Sequence, residues 1–248
     1  MRTICFANHK GGVGKTTSVS CIGSGLALKG FKTLLIDLDS QANLTQGLGV
    51  KSNRNIYGVL IGRYRITPVP VTENLFVVPA STELRSLELD LNNRSDKELR
   101  LKQALSSMDE TFDFVLIDLP PSLGLLTTNG FVSADEVIVP MTPQYYAVQG
   151  IVTLTEAIAE IRGRRNPNLT LSGILINLYN RQKNVHRDIV HAIEQRFGDK
   201  VFETKIRQNV SIEESSMTGT DLFRYAPDSN GAKDYMSVVE EILKREKM

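Results

Sequence analysis

Short apolar runs alternate with longer amphipathic segments along most of the chain. The runs are rich in leucine and β-branched residues and show no strict alternation with polar positions, which is typical of strands buried on both faces of a sheet. We predict strands at residues 2–7, 32–37, 75–79, 114–118, 136–140, 171–177 and 201–206. A chain with this pattern is expected to form one large sheet rather than a helical bundle.

Helical patterns occupy the intervals between these strands. One runs from Thr16 to Lys29 and is followed by Gly30, a usual stop signal, and a capping box at Ser95–Glu98 predicts a helix that ends near Met108. Further helices are predicted at residues 147–164, 185–197 and 229–247. The alternation predicts an α/β fold, with residues 1–248 forming a single doubly wound domain around a mostly parallel seven- or eight-stranded sheet.

Composition and charge narrow the range of functions that the chain could have. The chain has 248 residues, of which 41% are hydrophobic and 23% charged, as in ordinary globular proteins. The net charge is +1, so contact with nucleic acid or an anionic membrane needs a local patch. No apolar run approaches the roughly 20 residues that span a bilayer, and residues 1–7 are too short for a signal-peptide core. Cys5 and Cys21 lack paired spacing. We therefore expect a cytoplasmic protein.

A glycine-rich segment, the phosphate loop at residues 8–17, separates the first predicted strand from the first helix. Its glycines allow successive N–H groups to point into one concavity at a helix N-terminus, where an anion is favoured. Lys15 is placed to reach the β- and γ-phosphates, the Thr16 hydroxyl to bind Mg²⁺, and Thr17 to bond the α-phosphate. The predicted phosphate cradle comprises Lys10, Gly11, Gly12, Val13, Gly14, Lys15, Thr16 and Thr17.

The phosphate loop has His9 where the strict motif has glycine, and it carries a second lysine, Lys10. It resembles the deviant Walker A loop of the ParA/MinD class of P-loop ATPases. Residues 37–43 resemble that family's switch I, with Ser40 in place of a proline, and residues 118–122 resemble Walker B running into switch II. Residues 144–150 and 225–235 are similar to the Soj-like ParA branch, which partitions chromosomes and plasmids. The likeness covers essentially the whole chain and implies the P-loop NTPase fold.

Three catalytic residues follow from the chemistry and the resemblance. Lys15 neutralises phosphate charge, and Asp39 orients the attacking water and touches the Mg²⁺ shell. The resemblance implies that Lys10 reaches across an ATP-bound homodimer to the partner's phosphates, a role like that of an arginine finger. Asp118 is expected to hold Mg²⁺ through water, so the predicted metal site comprises Thr16, Asp39 and Asp118. Asp37 is expected to support the switch I segment.

The residues that read the adenine base are less evident. Asn177 ends a predicted strand and is a candidate hydrogen-bond partner of the base, with the loop after Ile206 as the opposite wall. An asparagine that merely ends a strand is the alternative. Related ParA chains have Pro-Arg-Asn where this chain has Arg207, Gln208 and Asn209.

The resemblance implies a slow Mg²⁺- and ATP-dependent ATPase that dimerises on ATP, binds non-specific DNA and is released by hydrolysis. The implied partner that stimulates hydrolysis is a ParB-type centromere-binding protein. Candidate DNA contacts are Arg162, Arg164, Arg165, Arg181, Lys183, His186, Arg187, Lys205 and Arg207. The arginines that Soj-like proteins use for DNA align with Gln182 and Ser211, so the DNA surface differs from theirs.

Three other functions share this loop. A MinD-like ATPase would act on a membrane or protein cargo, but residues 229–247 carry balanced charge and no aromatic residue near their end, so core packing and no membrane contact are expected. An iron–sulfur ATPase like the nitrogenase iron protein needs converging thiolates, which Cys5 and Cys21 are not placed to supply. An ATP-dependent ligase of the dethiobiotin synthetase type needs an acceptor site, and no sequence feature identifies one.

Overall fold

The computed structural model describes residues 1–144 and 147–245, and its centre is a seven-stranded sheet. The strands are β1 (Arg2–Phe6), β2 (Thr33–Asp37), β3 (Val69–Pro70), β4 (Leu75–Val78), β5 (Phe114–Asp118), β6 (Glu136–Met141) and β7 (Thr170–Ile176). Their order is β3-β4-β2-β5-β1-β6-β7, and all neighbours are parallel except β3 and β4. The predicted α/β class with a mostly parallel sheet is confirmed.

Helices cover both faces of this sheet. They are α1 (Lys15–Leu28), α2 (Asn43–Gly47), α3 (Ile56–Leu60), α4 (Leu87–Asp90), α5 (Arg100–Ser106), α6 (Leu125–Ser133), α7 (Ala147–Arg164), α8 (Asn184–Phe197), α9 (Val210–Met217), α10 (Leu222–Tyr225) and α11 (Asn230–Arg245). Short 3₁₀ helices lie at Thr82–Ser86, Lys97–Leu99 and Gly198–Lys200. Along β1, Cys5 packs into the core layer on one face, whereas Ile4 and Phe6 pack into the layer on the other.

The apolar side of α11 belongs to the core. Val238, Val239 and Ile242 are buried in the layer that contains α1, and fully buried Tyr235 packs in the same layer. This confirms the expectation that the last helix packs on the protein body. No helix among the described residues is both long enough and apolar enough to span a membrane.

The strand predicted at residues 201–206 is wrong. Phe202 and Ile206 donate their N–H groups to β7, at 3.0 and 2.8 Å, but two of the three N–H groups between them, those of Glu203 and Thr204, do not. Glu203 and Thr204 donate instead to the Glu241 carboxylate of α11, at 2.9 and 2.7 Å. A side chain thus satisfies the donors that a continuous ladder would use, and only isolated bridges form. The short strand β3, which the sequence pattern did not indicate, completes the seven-stranded sheet.

The helix predicted from the capping box at Ser95 is divided. The backbone forms a 3₁₀ turn at Lys97–Leu99 before α5 begins at Arg100. Asn129 of α6 stabilises the boundary between the 3₁₀ turn and α5. Its side chain donates to Lys97 O and accepts from Leu101 N, at 2.9 and 3.1 Å. A contact from a distant helix therefore decides where α5 begins.

Candidate active site

The phosphate loop links the carboxyl end of β1 to the start of α1. Gly12 and Gly14 have φ angles of 71° and 83°, in the left-handed region that favours glycine. Gly14 also lies against Asn177, where a Cβ atom would come within 2.6 Å of the amide nitrogen. The loop therefore needs glycine at position 14 for two independent reasons. The exposed N–H groups at the start of α1 give it the anion-binding character expected from the sequence.

A cavity of about 770 Å³ opens beside the phosphate loop. This volume suits a nucleotide-sized ligand. Its walls bring together the predicted residues Gly11, Gly12, Gly14, Lys15, Thr16, Thr17 and Asp39. The facing wall comes from α2 and α9. It includes Asn43, the last residue of the segment that resembles switch I, and Gln46, Gly47, Ser216 and Met217, which the sequence analysis missed. Ser20 also lines the cavity, and its position one helical turn after Thr16 was a usable signal.

Lys15 carries its charge into this cavity. The residue is 7% exposed, and burial lowers the pKa of its ammonium group, whereas the nearby carboxylates of Asp118 and Asp39 oppose that shift. A buried cation beside two carboxylates is suited to bind a polyphosphate, because the ligand supplies further negative charge at short range.

Asp118 lies below the loop at the end of β5, directly opposite Asp37 at the end of β2. Thr16 donates its hydroxyl to Asp118 Oδ2 at 2.7 Å, and Asp118 Oδ1 is buried without a partner among the described residues. Burial and the neighbouring Asp37 raise the pKa of Asp118 to about 8. An orphaned carboxylate oxygen beside a hydroxyl fits a hard cation such as Mg²⁺.

Within the described residues no group of three or more His, Cys, Asp or Glu side chains could hold a metal ion by itself. Magnesium in phosphate-binding proteins is commonly held by one or two protein ligands together with phosphate oxygens. Thr16 and Asp118 fit that pattern, and Asp39 lines the same cavity.

Asp37 fastens the segment that follows β2. Its carboxylate accepts hydrogen bonds from the N–H groups of Asp39 and Thr45, at 3.1 and 3.0 Å, and from the Thr45 hydroxyl at 2.7 Å. Burial raises the pKa of Asp37 to about 6, and these hydrogen bonds oppose the shift. These contacts give Asp37 a supporting role in the switch I segment. Asp39, in turn, accepts from Gln41 N at 2.9 Å, which orients its carboxylate at the cavity wall.

The nucleotide-free protein should lose stability as pH rises above about 6. Because the folded state raises the pKa of Asp118 from 3.8 to about 8, the folded state holds a proton that the unfolded chain releases. The stabilisation is complete below the unfolded pKa and is lost as pH passes through the folded pKa. Between about pH 6 and pH 8.5 we expect the melting temperature to fall by about 5 °C.

Asp118→Asn is the control for this pH dependence, since asparagine does not titrate. Its melting temperature should stay nearly constant over the same interval. Asp37 does not complicate the comparison, because its pKa of about 6 lies at the lower limit. A wild-type melting temperature that is flat or rises over the interval would contradict the assignment of Asp118 as a protonated buried acid.

Asn177 lies beneath the phosphate loop rather than on the described cavity wall. The residue is 2% exposed, and its amide nitrogen donates to Val13 O at 2.8 Å and to Ser18 Oγ at 3.2 Å. Ser18 Oγ lies 3.4 Å from the Tyr235 hydroxyl, so the contact continues to α11. The structure gives Asn177 a role in supporting the loop, and its contact with adenine stays a prediction.

Replacing Asn177 by alanine should destabilise the nucleotide-free protein. The change leaves the buried Val13 carbonyl unpaired, a loss of about 1–3 kcal/mol in the free energy of unfolding. Urea unfolding without nucleotide measures it, with Asn53→Ala, at an exposed residue, as the matched control. If Asn177 only contacts the base, the unfolding free energy will stay unchanged and only discrimination between ATP and GTP will fall.

Lys10 is exposed at the start of the phosphate loop and is absent from the described cavity wall. Its backbone N–H donates to Asn8 Oδ1 at 3.0 Å, and its ammonium group donates to Gln144 Oε1. The phosphate loop thus directs the Lys15 side chain into the cavity and leaves the Lys10 side chain exposed at the surface. This separation matches the two different roles expected of the two lysines.

Ion pairs occupy several of the candidate DNA contacts. Partners within 2.6–2.9 Å join Arg164 to Glu160, Arg165 to Glu98, Lys205 to Glu194 and Arg207 to Asp234. His186 accepts a hydrogen bond from Asn180 N at its Nδ1 atom, and burial lowers the pKa of its ring. The inclusion of His186 among the cationic candidates is therefore wrong, because this bond requires an unprotonated Nδ1. Within the described chain, Arg162, Arg181 and Lys183 have no carboxylate at ion-pair distance.

The two cysteines are buried free thiols on opposite faces of the sheet. Burial raises the pKa of both thiols, which disfavours the thiolate form that a cluster needs. The expectation that they are not placed to hold an iron–sulfur cluster is confirmed.

Comparisons with known proteins agree on the family and the fold. Residues 1–171 match the family described as AAA domain. The chain is 39% identical to the chromosome-partitioning ATPase Soj of Treponema pallidum, covering 99% of this chain and 98% of that protein. It is 36% identical to the chromosome partitioning protein ParA of Myxococcus xanthus, covering 99% and 89%.

Two solved structures are similar over nearly their whole lengths. Cobyrinic acid a,c-diamide synthase of Mycobacterium smegmatis, with bound ATP analogue and magnesium, has a TM-score of 0.88 at 34% identity, covering 100% of this chain and 96% of that one. A plasmid partition protein of Borrelia burgdorferi bound to AMPPNP has a TM-score of 0.86 at 25% identity, covering 98% and 99%.

Proposed function

Because the chain belongs to the ParA/Soj family of partitioning ATPases, we propose that it is an ATP-driven dimerisation switch that acts in the segregation of DNA. It binds Mg–ATP in the cavity beside the phosphate loop, forms a homodimer, binds DNA without sequence preference and leaves it after hydrolysis. The observation that carries the proposal is the group of buried Lys15 and Asp118 with half-buried Thr16, in which one carboxylate oxygen of Asp118, below the phosphate loop, has no partner in the described part of the chain.

The residues of this chain divide the chemistry among them. The N–H groups of the phosphate loop and the Lys15 ammonium group hold the phosphates and balance their charge. Thr16 and Asp118 would hold a magnesium ion, which when bound would supply positive charge to the phosphates. Asp39, fixed by the N–H group of Gln41, accepts a hydrogen bond from the attacking water and aligns it.

The effect of nucleotide binding can also be transmitted from the cavity to α6. The Thr16 hydroxyl would offer an oxygen lone pair to the metal while its O–H continues to donate to Asp118 at 2.7 Å, so a bound metal would act on Asp118 through Thr16. Asp118 ends β5 and leads into the switch II segment, residues 118–122. That segment is fixed at its far side, because Thr127 of α6 donates to Ser122 O. Binding is thereby communicated to α6, and a conformational preference of this kind is how a nucleotide selects one of two states.

DNA binding is proposed for the ATP-bound homodimer. Arg162, Arg181 and Lys183 are the cations favoured for phosphate contact, since Arg164, Arg165, Lys205 and Arg207 are engaged by carboxylates. The protein acts in the cytoplasm on the nucleoid, and a ParB-type centromere-binding protein accelerates hydrolysis. Because the contacts are to phosphates, affinity should fall steeply with salt.

The experiment measures ATP hydrolysis and DNA retention with and without duplex DNA at two salt concentrations. We expect ATP-dependent retention that weakens with salt and is lost in the Arg162→Ala, Arg181→Ala, Lys183→Ala triple variant. The matched control, Arg164→Ala with Arg165→Ala, should keep most of the binding. Indifference to DNA would contradict DNA partitioning. Hydrolysis that requires a carboxylic acid acceptor and an amine donor would instead favour a ligase, the reaction class of the Mycobacterium smegmatis protein.

A further inference from the structure

The first residues of the phosphate loop are attached to the segment between β6 and α7. The Asn8 side chain donates to Pro140 O at 2.8 Å, and its oxygen accepts the Lys10 N–H at 3.0 Å. The Lys10 ammonium group donates to the side-chain oxygen of Gln144. Gln144 lies 134 positions away in sequence, so this contact exists only because β1 and β6 are neighbours.

Two further contacts fix the geometry of this attachment. The N–H of Gln144 donates to Thr142 O at 2.8 Å, which sets the direction of the chain there. On the other side, the His9 ring lies where a Cβ atom on Gly150 of α7 would come within 2.8 Å of it. The residues on the two sides of the ammonium contact are therefore held in place. Gln144 is hydrogen bonded to Thr142, and His9 packs against Gly150.

The partner of Lys10 is a neutral amide. Among the described residues no carboxylate lies within ion-pair distance of its ammonium group, and both Lys10 and Gln144 are exposed. An amide oxygen gives direction to a cation without neutralising it, whereas a phosphate oxygen is charged and makes the stronger hydrogen bond. The Gln144 contact is therefore suited to be exchanged for a phosphate.

We propose that Gln144 is a positioning residue that holds Lys10 on its own subunit and releases it when the partner's phosphates arrive. This inference rests on the proposed function, in which Lys10 acts across the dimer. The Gln144 contact exists in the monomer and competes with dimer formation. Its removal favours the dimer, and a carboxylate at position 144 disfavours it.

The first test needs no nucleotide. An amine-acylating reagent is applied to the monomer, and the modification rate of Lys10 is measured by peptide mass spectrometry, with exposed Lys51 as internal reference. An exposed contact to a charged group alters such an equilibrium by about two- to fivefold. Gln144→Ala should raise the Lys10 rate by that factor, and Gln144→Glu should lower it. Gln149→Ala, an exposed glutamine on α7, is the matched control and should change nothing. Equal Lys10 rates in all variants would overturn the proposal.

The second test measures ATP-dependent dimerisation by sedimentation. We expect the dimer dissociation constant to fall about two- to fivefold in Gln144→Ala and to rise in Gln144→Glu, with the second effect shrinking in high salt. If residue 144 only maintains the loop, both variants will weaken the dimer equally at every salt concentration, and the proposal fails. If wild-type protein never dimerises with ATP, the proposed function fails, while the acylation rates still decide whether Gln144 holds Lys10.

Discussion

Lys15→Ala should abolish ATP binding and hydrolysis together. The ammonium group is buried beside Asp118 and Asp39, so its removal leaves the triphosphate facing two acidic side chains with no cation between them. Truncating one member of a buried charge pair costs about 2–5 kcal/mol. We therefore expect nucleotide affinity to fall by about 100-fold or more, measured by titration calorimetry with a non-hydrolysable analogue and Mg²⁺.

Lys29→Ala is the matched control, because Lys29 directly follows the same helix and pairs with Glu240 at the surface, at 3.0 Å. Its nucleotide affinity should equal that of the wild type. Circular dichroism of the nucleotide-free Lys15→Ala protein shows whether the fold is retained. A folded variant with unchanged affinity would remove Lys15 from the phosphate site.

Lys10→Ala should separate nucleotide binding from hydrolysis. Lys10 lies outside the described cavity wall and its side chain donates to an exposed amide, so the monomer should bind nucleotide within about threefold of the wild type. The ATP-dependent dimer should be lost. Because a cation supplied in trans is worth about 10³–10⁵ in rate, stimulated hydrolysis should fall by about 10³ or to background.

Sedimentation with and without ATP, together with a hydrolysis assay in the presence of DNA, checks both effects. Lys51→Ala removes another exposed lysine that follows β2 and should behave as wild type. An unaltered hydrolysis rate in Lys10→Ala would refute the role in trans. Weak nucleotide binding by the monomer would instead assign Lys10 to the phosphate site of its own subunit.

The two carboxylates that end strands β2 and β5 illustrate how much of the site can be predicted from the sequence. Asp37 and Asp118 each end an apolar run, and parallel strands place such residues at one edge, so their presence near the phosphate loop was predictable. Their direct opposition was not, because it depends on β5 lying between β1 and β2 in the sheet. That opposition raises the pKa of Asp118, together with burial.

The cavity wall shows a second limit. The helices α2 and α9 span Asn43–Gly47 and Val210–Met217, and helices this short carry too few turns to reveal a period in the sequence. The segment at residues 201–206 failed for the opposite reason. Its apolar pattern is real, but the Glu241 carboxylate binds the N–H groups of Glu203 and Thr204 that a strand would pair.

The pairing of charged side chains is a third limit of the sequence. The sequence shows which residues are basic, whereas only long-range packing shows that Arg165 meets Glu98 and Arg207 meets Asp234. His186 is likewise not a cation, because its Nδ1 atom accepts a hydrogen bond from the backbone N–H group of Asn180.

By itself, the sequence determined the phosphate loop, the lysines at positions 10 and 15, and the strand-end carboxylates, because these depend on local backbone freedom and on which residues end apolar runs. The tertiary structure alone decided the strand order, the ion pairs that engage Arg165 and Arg207, and the hydrogen bond between Lys10 and Gln144. Each of these features depends on contacts between residues that are far apart in the chain. The spacing of residues along the chain does not indicate which distant side chains come into contact.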